Sequence, residues 1–336
     1  DPKAGAPSVR ISLAQAAASG AAVPGWREAL APESHEAPLT TGVYDLSEGP
    51  IQIAEASPIA GSAFITLPEG GDSTDAPGAA LPAAPLAGLT EPGPGGAPLP
   101  IIGAGGRTPA EAYARPFTPN GKPRVALVVG GLGLNTALTR RAIETLPPEI
   151  TLSFAPYAEG LQGWIDLARA NGHEVLLEAP MEPTDYPSND PGPMTLLAAS
   201  APPETVRKLE WLLSRATGYF GLTNYLGSRF VATPGAMTAF SGALKARGLA
   251  FIDDGAAAGK GAGPLRASAN RVIDDDLSAD AINQQLVALE AAARTRGQAL
   301  GSGFAYPVTV DQAAIWARGL TARGFQLAPA SALARR

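Results

Sequence analysis

Cysteine is absent from the 336 residues of the chain, and histidine occurs only twice, at His35 and His173. Without cysteine the chain has no disulfide, no thiolate zinc site and no cysteine nucleophile. With only two histidines, a catalytic centre that holds its metal on a histidine pair is almost excluded. These classes of protein are therefore set aside before any fold is considered.

Runs of lysine and arginine are also missing, and the formal net charge is −6. Phosphate binding requires clustered cations, so we predict no nucleic-acid partner. No stretch reaches the roughly eighteen apolar residues that a membrane-spanning helix needs. The chain opens at Asp1 without a methionine, which leads us to expect a signal peptide or an anchor helix upstream.

Proline and glycine are abundant, and they are concentrated in the first third of the chain. Stretches such as STDAPGAALPAAPLAGLTEPGPGGAPLP interrupt helices and strands and bury little apolar surface. We therefore predict a low-complexity, largely irregular arm over residues 1–122. Short islands favour an arm that wraps the domain behind it: a strand pattern at Val9–Leu13, and aromatic anchors at Trp26 and at Tyr113 with Phe117. A flexible stalk is the alternative.

Residues 123–336 alternate between strand and helix patterns. The run RVALVV is continuous and β-branched, which is typical of a strand buried on both faces of a parallel sheet. The alternation continues through ITLSFAP, LQGWIDLARANG and HEVLLEAPM. About seven such repeats favour a closed or nearly closed parallel (β/α) barrel over an open doubly wound sheet.

Functional side chains in a barrel follow the strands. The residues in these positions are Glu178, Glu182 and Asp185 on a proline-rich loop, Asn224, Tyr225 and Arg229 in TNYLGSR, the groups Asp253-Asp254 and Asp274-Asp275-Asp276, and Phe304 with Tyr306. Adjacent carboxylates repel one another unless a cation, a cap or a bound sugar offsets them, and helix capping explains one member of each group. The Gly130-Gly131 turn lacks the spacing of a nucleotide-binding loop. His173 lies at a strand start, where we predict a structural role.

Five segments together resemble the divergent polysaccharide deacetylase family, relatives of the NodB-type deacetylases. They are RVALVVGGLGLN, ARANGHEVLLEAPMEP, GLTNYLGSRFVA, LAFIDDG and GFAYPVTV, of which GHEVLLEAPMEP is the most specific. The segment GGRTPAEAYARPF before the first strand is similar to that of alphaproteobacterial members. The resemblance implies a distorted seven-stranded (β/α) barrel and a zinc-dependent deacetylation of polysaccharide.

The chain departs from the family at the positions that hold the metal. Active members end the first strand in an aspartate pair, where this chain has Gly130-Gly131. Tyr225 and Phe304 stand where the resemblance implies histidines. Deacetylation needs a divalent ion to polarise the acyl carbonyl and to activate water, so we expect neither zinc nor any other cofactor.

Three functions follow as alternatives. The first is a metal-free pseudoenzyme of the cell envelope, periplasmic and tethered to the inner membrane, which binds a glycan or peptidoglycan strand or an envelope protein. Its predicted ligand-binding residues are Asn224, Tyr225, Arg229, Phe304 and Tyr306. The second is an active polysaccharide or peptidoglycan deacetylase or hydrolase, with Glu178 and either Asp253 or Asp254 as acid and base. The third is a scaffold whose arm alone carries the function.

Overall fold

The computed structural model describes residues 79–260 and 263–335. The strands are β1 (Thr90–Pro92), β2 (Pro98–Pro100), β3 (Arg124–Leu132), β4 (Thr151–Phe154), β5 (Val175–Met181), β6 (Gly221–Leu226), β7 (Ala250–Asp253), β8 (Leu265–Ser268), β9 (Arg271–Val272), β10 (Gln298–Phe304) and β11 (Gln326–Leu327). The helices are α1 (Pro109–Ala112), α2 (Thr136–Thr145), α3 (Leu161–Ala170), α4 (Pro202–Leu213), α5 (Ser228–Ala232), α6 (Pro234–Ala246), α7 (Ala279–Arg296) and α8 (Pro307–Leu320). None of the helices in this part of the chain is long and apolar enough to cross a membrane.

The main sheet is parallel and curled. Its strand order is β8-β7-β6-β5-β4-β3-β10-β9, and β11 adds to β3. The two ends of this path, β8 and β9, are consecutive in the chain and are separated only by Ala269 and Asn270. One kinked segment therefore borders β7 on one side and β10 on the other, and it counts as the seventh strand of the barrel. The prediction of a distorted parallel (β/α) barrel is confirmed.

Strand residues alternate between two cores. On β3, Val125, Leu127 and Val129 face the helices and join the outer core. Ala126 and Val128 face the other way and join an inner core. Because side chains alternate along a strand, the next inward position is residue 130, at the carboxyl end of the barrel. Both faces are apolar, which explains why the sequence of this strand is a continuous run.

Residues 79–122 of the arm close the amino end of the barrel. Leu89, Ala110 and Tyr113 are buried and belong to the inner core, together with Leu333 near the end of the chain. In this part the arm wraps the domain, the first of the two alternatives, and β1 pairs with β2 as an antiparallel hairpin. The islands at Val9–Leu13 and Trp26 lie outside the described residues.

A buried polar cluster joins the arm, the barrel and the C-terminal segment. The carboxylate of Glu174, which has no exposed surface, accepts hydrogen bonds from the Arg115 amide, the Thr151 hydroxyl, and the Ser331 amide and hydroxyl. The neighbouring His173 is also fully buried, with Nδ1 2.8 Å from the Ile150 carbonyl and Nε2 3.1 Å from that of Ile143. Burial lowers the pKa of this histidine. The structure thus places His173 in the scaffold at the amino end of the barrel.

Candidate functional site

A pocket of about 160 Å³ opens at the carboxyl ends of the barrel strands. It is lined by Val128, Gly130, Ser153, Glu178, Thr223, Asn224, Leu226, Asp254, Val272, Asp275, Ser302, Gly303 and Phe304. These residues come from β3, β4, β5, β6, β9 and β10 and from the turns after β7 and β9. Of the candidate residues that the sequence placed after strands, Glu178, Asn224, Asp254 and Phe304 line the pocket. Asp254 follows β7, whereas the other three lie within β5, β6 and β10 near their carboxyl ends.

Glu178 lies at the base of the pocket. It is 1% exposed, and its Oε1 accepts a hydrogen bond from the Gly131 amide at 2.5 Å and from the Ser153 hydroxyl at 2.9 Å. Hydrogen bonds of this kind stabilise a carboxylate and fix its orientation. The side chain is therefore a preorganised, negatively charged wall of the pocket.

Gly130 explains why the pocket does not fit the metal that the resemblance implies. Glycine offers no side-chain ligand, and a Cβ atom at Gly130 would lie 2.7 Å from Ser153 Oγ and 2.8 Å from Glu178 Oε1, so a larger residue here would have to displace both groups. Among residues 79–260 and 263–335, no three His, Cys, Asp or Glu side chains are grouped closely enough to hold a metal ion. The described residues do not form a zinc site.

Substitution of Gly130 should therefore destabilise the protein. We expect Gly130→Ala to lower the free energy of unfolding by about 1–3 kcal/mol through overpacking, and Gly130→Asp to lower it further because it places a second carboxylate beside buried Glu178. The matched control is Gly163→Ala on α3, where a Cβ meets nothing within 4 Å. This variant should raise the free energy of unfolding by about 0.5–1 kcal/mol. Urea denaturation measures all three. A Gly130→Asp variant that stays stable and binds one zinc ion would contradict this account.

Asn224 on β6 and Asp254 after β7 form one wall of the pocket. This wall faces the residues that β3 and β4 contribute. The Asn224 side chain accepts from the Asp254 amide at 3.1 Å and donates to the Leu226 carbonyl at 2.8 Å. Leu226 has a φ of 57°, the one positive value for a non-glycine residue in the described chain, and such strain is frequent at functional sites. Burial raises the pKa of Asp254, and the charge of Asp253 raises it further against the hydrogen bonds that lower it.

Asp253 has a structural position behind this wall. Its Oδ1 accepts from the amides of Gly255 and Ala257, and its Oδ2 from the Ser268 hydroxyl at 2.6 Å and from Arg266 at 3.4 Å. The side chain ties β7 to β8 and shapes the turn that presents Asp254. Of the two adjacent aspartates, the structure brings only Asp254 to the pocket.

The predicted aromatic residues lie side by side. Phe304 lines the pocket, and its ring contacts Tyr225 edge-on at 5.9 Å between centroids and Tyr306 at 6.4 Å. Tyr225 is only 4% exposed and packs in a small cluster with Ala155. Phe304 therefore offers apolar contact area to a ligand, whereas Tyr225 supports it from behind.

Arg229 lies at the rim and not among the pocket-lining residues. Its guanidinium pairs with Glu182 at 2.9 Å and is half exposed. Glu182 also accepts from the Ala198 amide at 2.6 Å, and its backbone carbonyl accepts from the amides of Arg229 and Phe230. The pair fastens the proline-rich loop to α5 and leaves Arg229 with no direct part in the pocket.

Sequence reasoning missed several pocket residues with short polar side chains. Ser153, Thr223 and Ser302 line the pocket, but they stand inside strand patterns and not after them. Because these strands are largely buried on both faces, the sequence carries no signal that sets the three residues apart. Asp275 was part of a predicted group, and it is the one member of that group that lines the pocket.

Comparison with known proteins gives four findings of similarity. A family model described as divergent polysaccharide deacetylase matches residues 127–334. An uncharacterised protein of Haemophilus influenzae is 25% identical over 195 residues, which cover 56% of this chain and 68% of that protein. The crystal structure of an uncharacterised protein from Agrobacterium tumefaciens is 38% identical with a TM-score of 0.67, over 70% of this chain and 99% of that one. The catalytic domain of a peptidoglycan N-acetylglucosamine deacetylase from Eubacterium rectale matches at 14% identity and a TM-score of 0.42, over 63% of this chain and 90% of that domain.

Proposed function

The chain belongs to the divergent polysaccharide deacetylase family, and we propose that it is a metal-free member that binds a glycan strand in the pocket at the carboxyl end of its barrel. The observation that carries this proposal is Gly130, which offers no ligating side chain and lies so close to Ser153 and Glu178 that a larger residue would have to displace them. The pocket nevertheless persists, with polar groups and a phenylalanine ring in its wall. Loss of the metal site with retention of the cavity favours binding over hydrolysis.

The chemistry of the pocket suits a sugar. Sugar hydroxyls need hydrogen-bond acceptors, which Glu178 and Asp254 supply, and an apolar ring face, which Phe304 supplies. Asp254 is held by Asn224 through its backbone amide, so its position is set before a ligand arrives. A preformed pocket loses less conformational entropy on binding.

The cellular setting that we propose is the periplasm, with peptidoglycan as the glycan and an anchor to the inner membrane upstream of Asp1. The family's enzymes of polysaccharide metabolism support a role at the cell envelope by analogy. The binding experiment distinguishes a glycan partner from the alternative, an envelope protein.

Phe304→Ala should weaken glycan binding about tenfold, which corresponds to about 1.4 kcal/mol, because the variant loses the apolar surface of the pocket wall. The matched control is Phe117→Ala: this phenylalanine is half-buried too but packs against the inner core from the arm. Calorimetric titration with peptidoglycan fragments and with chitooligosaccharides measures the affinities. If no glycan binds the unaltered protein while an envelope protein does, the glycan proposal is wrong.

Hydrolysis is the second candidate, and one observation favours it. Glu178 on β5 and Asp254 after β7 line the same pocket, and burial raises the pKa of Asp254, as is usual for a general acid. Turnover of an acetylated chitooligosaccharide or of peptidoglycan by the metal-free protein, lost in Glu178→Gln and Asp254→Asn, would establish this function in place of simple binding.

A further inference from the structure

A groove of about 520 Å³ lies on the outer surface of the barrel, between α2 and α8. It is lined by Arg141 and Thr145 of α2 and by residues of α8 from Asp311 to Arg318. The two helices pack against each other. The groove shares no lining residue with the pocket at the strand ends, so it is a separate surface.

One turn of α8 presents an apolar side chain and a cation to this groove. Ile315 is 57% exposed, which is unusual for so large an apolar residue in this chain. Arg318 is exposed as well. Its Nε donates to the Ala314 carbonyl, and no carboxylate of the described residues pairs with it, whereas Arg141 is paired with Asp311. Residues three apart are neighbours on a helix surface, so a partner with an apolar group beside a carboxylate fits here.

The chain itself carries such a segment before Ala79. Residues 28–78 contain no lysine or arginine, and their acidic residues are Glu28, Glu33, Glu36, Asp45, Glu48, Glu55, Glu69, Asp72 and Asp75. Within this stretch, residues 65–69 read ITLPE. The residue before a proline favours an extended backbone, and side chains two apart on an extended chain point to the same side, about 7 Å apart. Leu67 and Glu69 therefore match Ile315 and Arg318, which are about 5 Å apart along the helix axis.

The position of Ala79 brings this segment to the groove. The Ala79 carbonyl oxygen and Pro148 Cβ each lie 3.0 Å from the point that a Cβ at Gly172 would occupy, so Ala79 is a neighbour of Pro148. Pro148 comes three residues after Thr145, which lines the groove. The ten residues from Glu69 to Ala79 span up to about 36 Å, and packed helices are only about 8–10 Å apart. A short linker of this kind gives an effective concentration on the order of millimolar, which favours the chain's own segment over a second copy.

We propose that residues 65–69 of the same chain dock in the groove between α2 and α8. Leu67 covers Ile315, and Glu69 pairs with Arg318. The contact fastens the arm to the outer side of the barrel, in addition to the closure of its amino end by residues 79–122. It does not depend on what the pocket at the strand ends binds.

The absence of cysteine makes a disulfide the direct test, because two introduced cysteines are the only thiols of the chain. In the full chain, Leu67→Cys is combined with Ile315→Cys or, as the matched control, with Val287→Cys. Val287 is 65% exposed but lies on α7, outside the groove. A disulfide requires Cα atoms within about 7 Å, so we expect the intrachain bond to form at least tenfold faster at position 315 than at position 287. Equal rates, or a disulfide that mainly joins two chains, would overturn the proposal.

Hydrogen exchange on chains without introduced cysteines tests the ion pair. The amides within residues 65–69 should exchange more slowly than those of a free peptide of the same sequence. Arg318→Glu should raise their exchange rate several-fold, and the further change Glu69→Arg should restore the protection. Arg207→Glu is the matched control, since Arg207 is exposed on α4 and does not line the groove. The inference fails if these amides exchange as fast as those of the peptide in the unaltered protein, or if both charge reversals at arginine have the same effect.

Discussion

Replacing Arg169 with methionine should lower the free energy of unfolding by about 3–5 kcal/mol, the range for breaking a buried hydrogen-bonded charge network. Arg169 is 1% exposed. Its guanidinium donates to the carbonyls of Pro82, Tyr113 and Gly218 at 2.9–3.2 Å, and it lies 5.1 Å from the centroid of the Tyr113 ring. Methionine keeps much of the volume but leaves these carbonyls without donors. Chemical denaturation measures the loss.

The same variant should expose residues 79–122 to protease, because Arg169 joins two parts of the arm to the barrel. Arg169→Lys should restore little of the lost stability, since a single ammonium group cannot reproduce the planar array of donors. Arg294→Met is the matched control: Arg294 also stacks on a ring, that of Phe325 at 5.1 Å, but it is exposed. We expect it to cost less than about 1 kcal/mol. A similar loss in both variants would contradict the role assigned to Arg169.

Replacing Asp274 with asparagine should stabilise the protein at neutral pH by at most about 3 kcal/mol, at about 1.4 kcal/mol per unit of pKa shift, less the cost of burying an amide NH2 where Oδ1 has no partner. Asp274 has no exposed surface. Its Oδ2 accepts from the Phe304 amide at 2.7 Å and from the Thr309 hydroxyl at 3.0 Å, whereas Oδ1 has no partner. Burial, with a smaller effect from the charge of Asp275, raises the pKa of Asp274 to about 6. Asparagine preserves one acceptor oxygen and carries no charge to bury.

The pH dependence follows from the direction of this shift. Between pH 4 and pH 6 the folded protein retains a proton on Asp274 that the unfolded chain has released, so the stability from this group falls as the pH rises. The loss is complete above the folded pKa of about 6. The advantage of Asp274→Asn should therefore be small near pH 4 and full at pH 7.5, as measured by urea denaturation at both values.

Asp276→Asn serves as the control for surface charge, because Asp276 is exposed. We expect it to change the free energy of unfolding by less than about 0.5 kcal/mol at either pH. If Asp274→Asn is neutral or destabilising at pH 7.5, or if its advantage does not grow between the two pH values, the buried carboxylate is better compensated than its contacts indicate.

The sequence by itself determined the barrel, and it predicted the absence of a metal site. Continuous β-branched runs such as that on β3 can be recognised as strands in the sequence, because the strands of a parallel barrel are buried on both faces. Because helices alternate with these strands, they must cover the outer face of the sheet, and few folds other than a parallel barrel or a doubly wound sheet allow this. The departures at Gly130 and Tyr225 could be recognised in the sequence because they remove side-chain atoms that would bind a metal. The family resemblance indicated at which positions those atoms are expected.

Only the tertiary structure decided which side chains reach the pocket. A strand that is apolar on both faces does not reveal which face points inward, so Ser153 and Thr223 could not be distinguished from structural residues. Adjacent aspartates point in opposite directions at the end of β7, and hydrogen bonds with Ser268 and Arg266 turn Asp253 away while Asp254 faces the pocket. Such choices depend on contacts between residues far apart in the sequence, which local patterns do not contain.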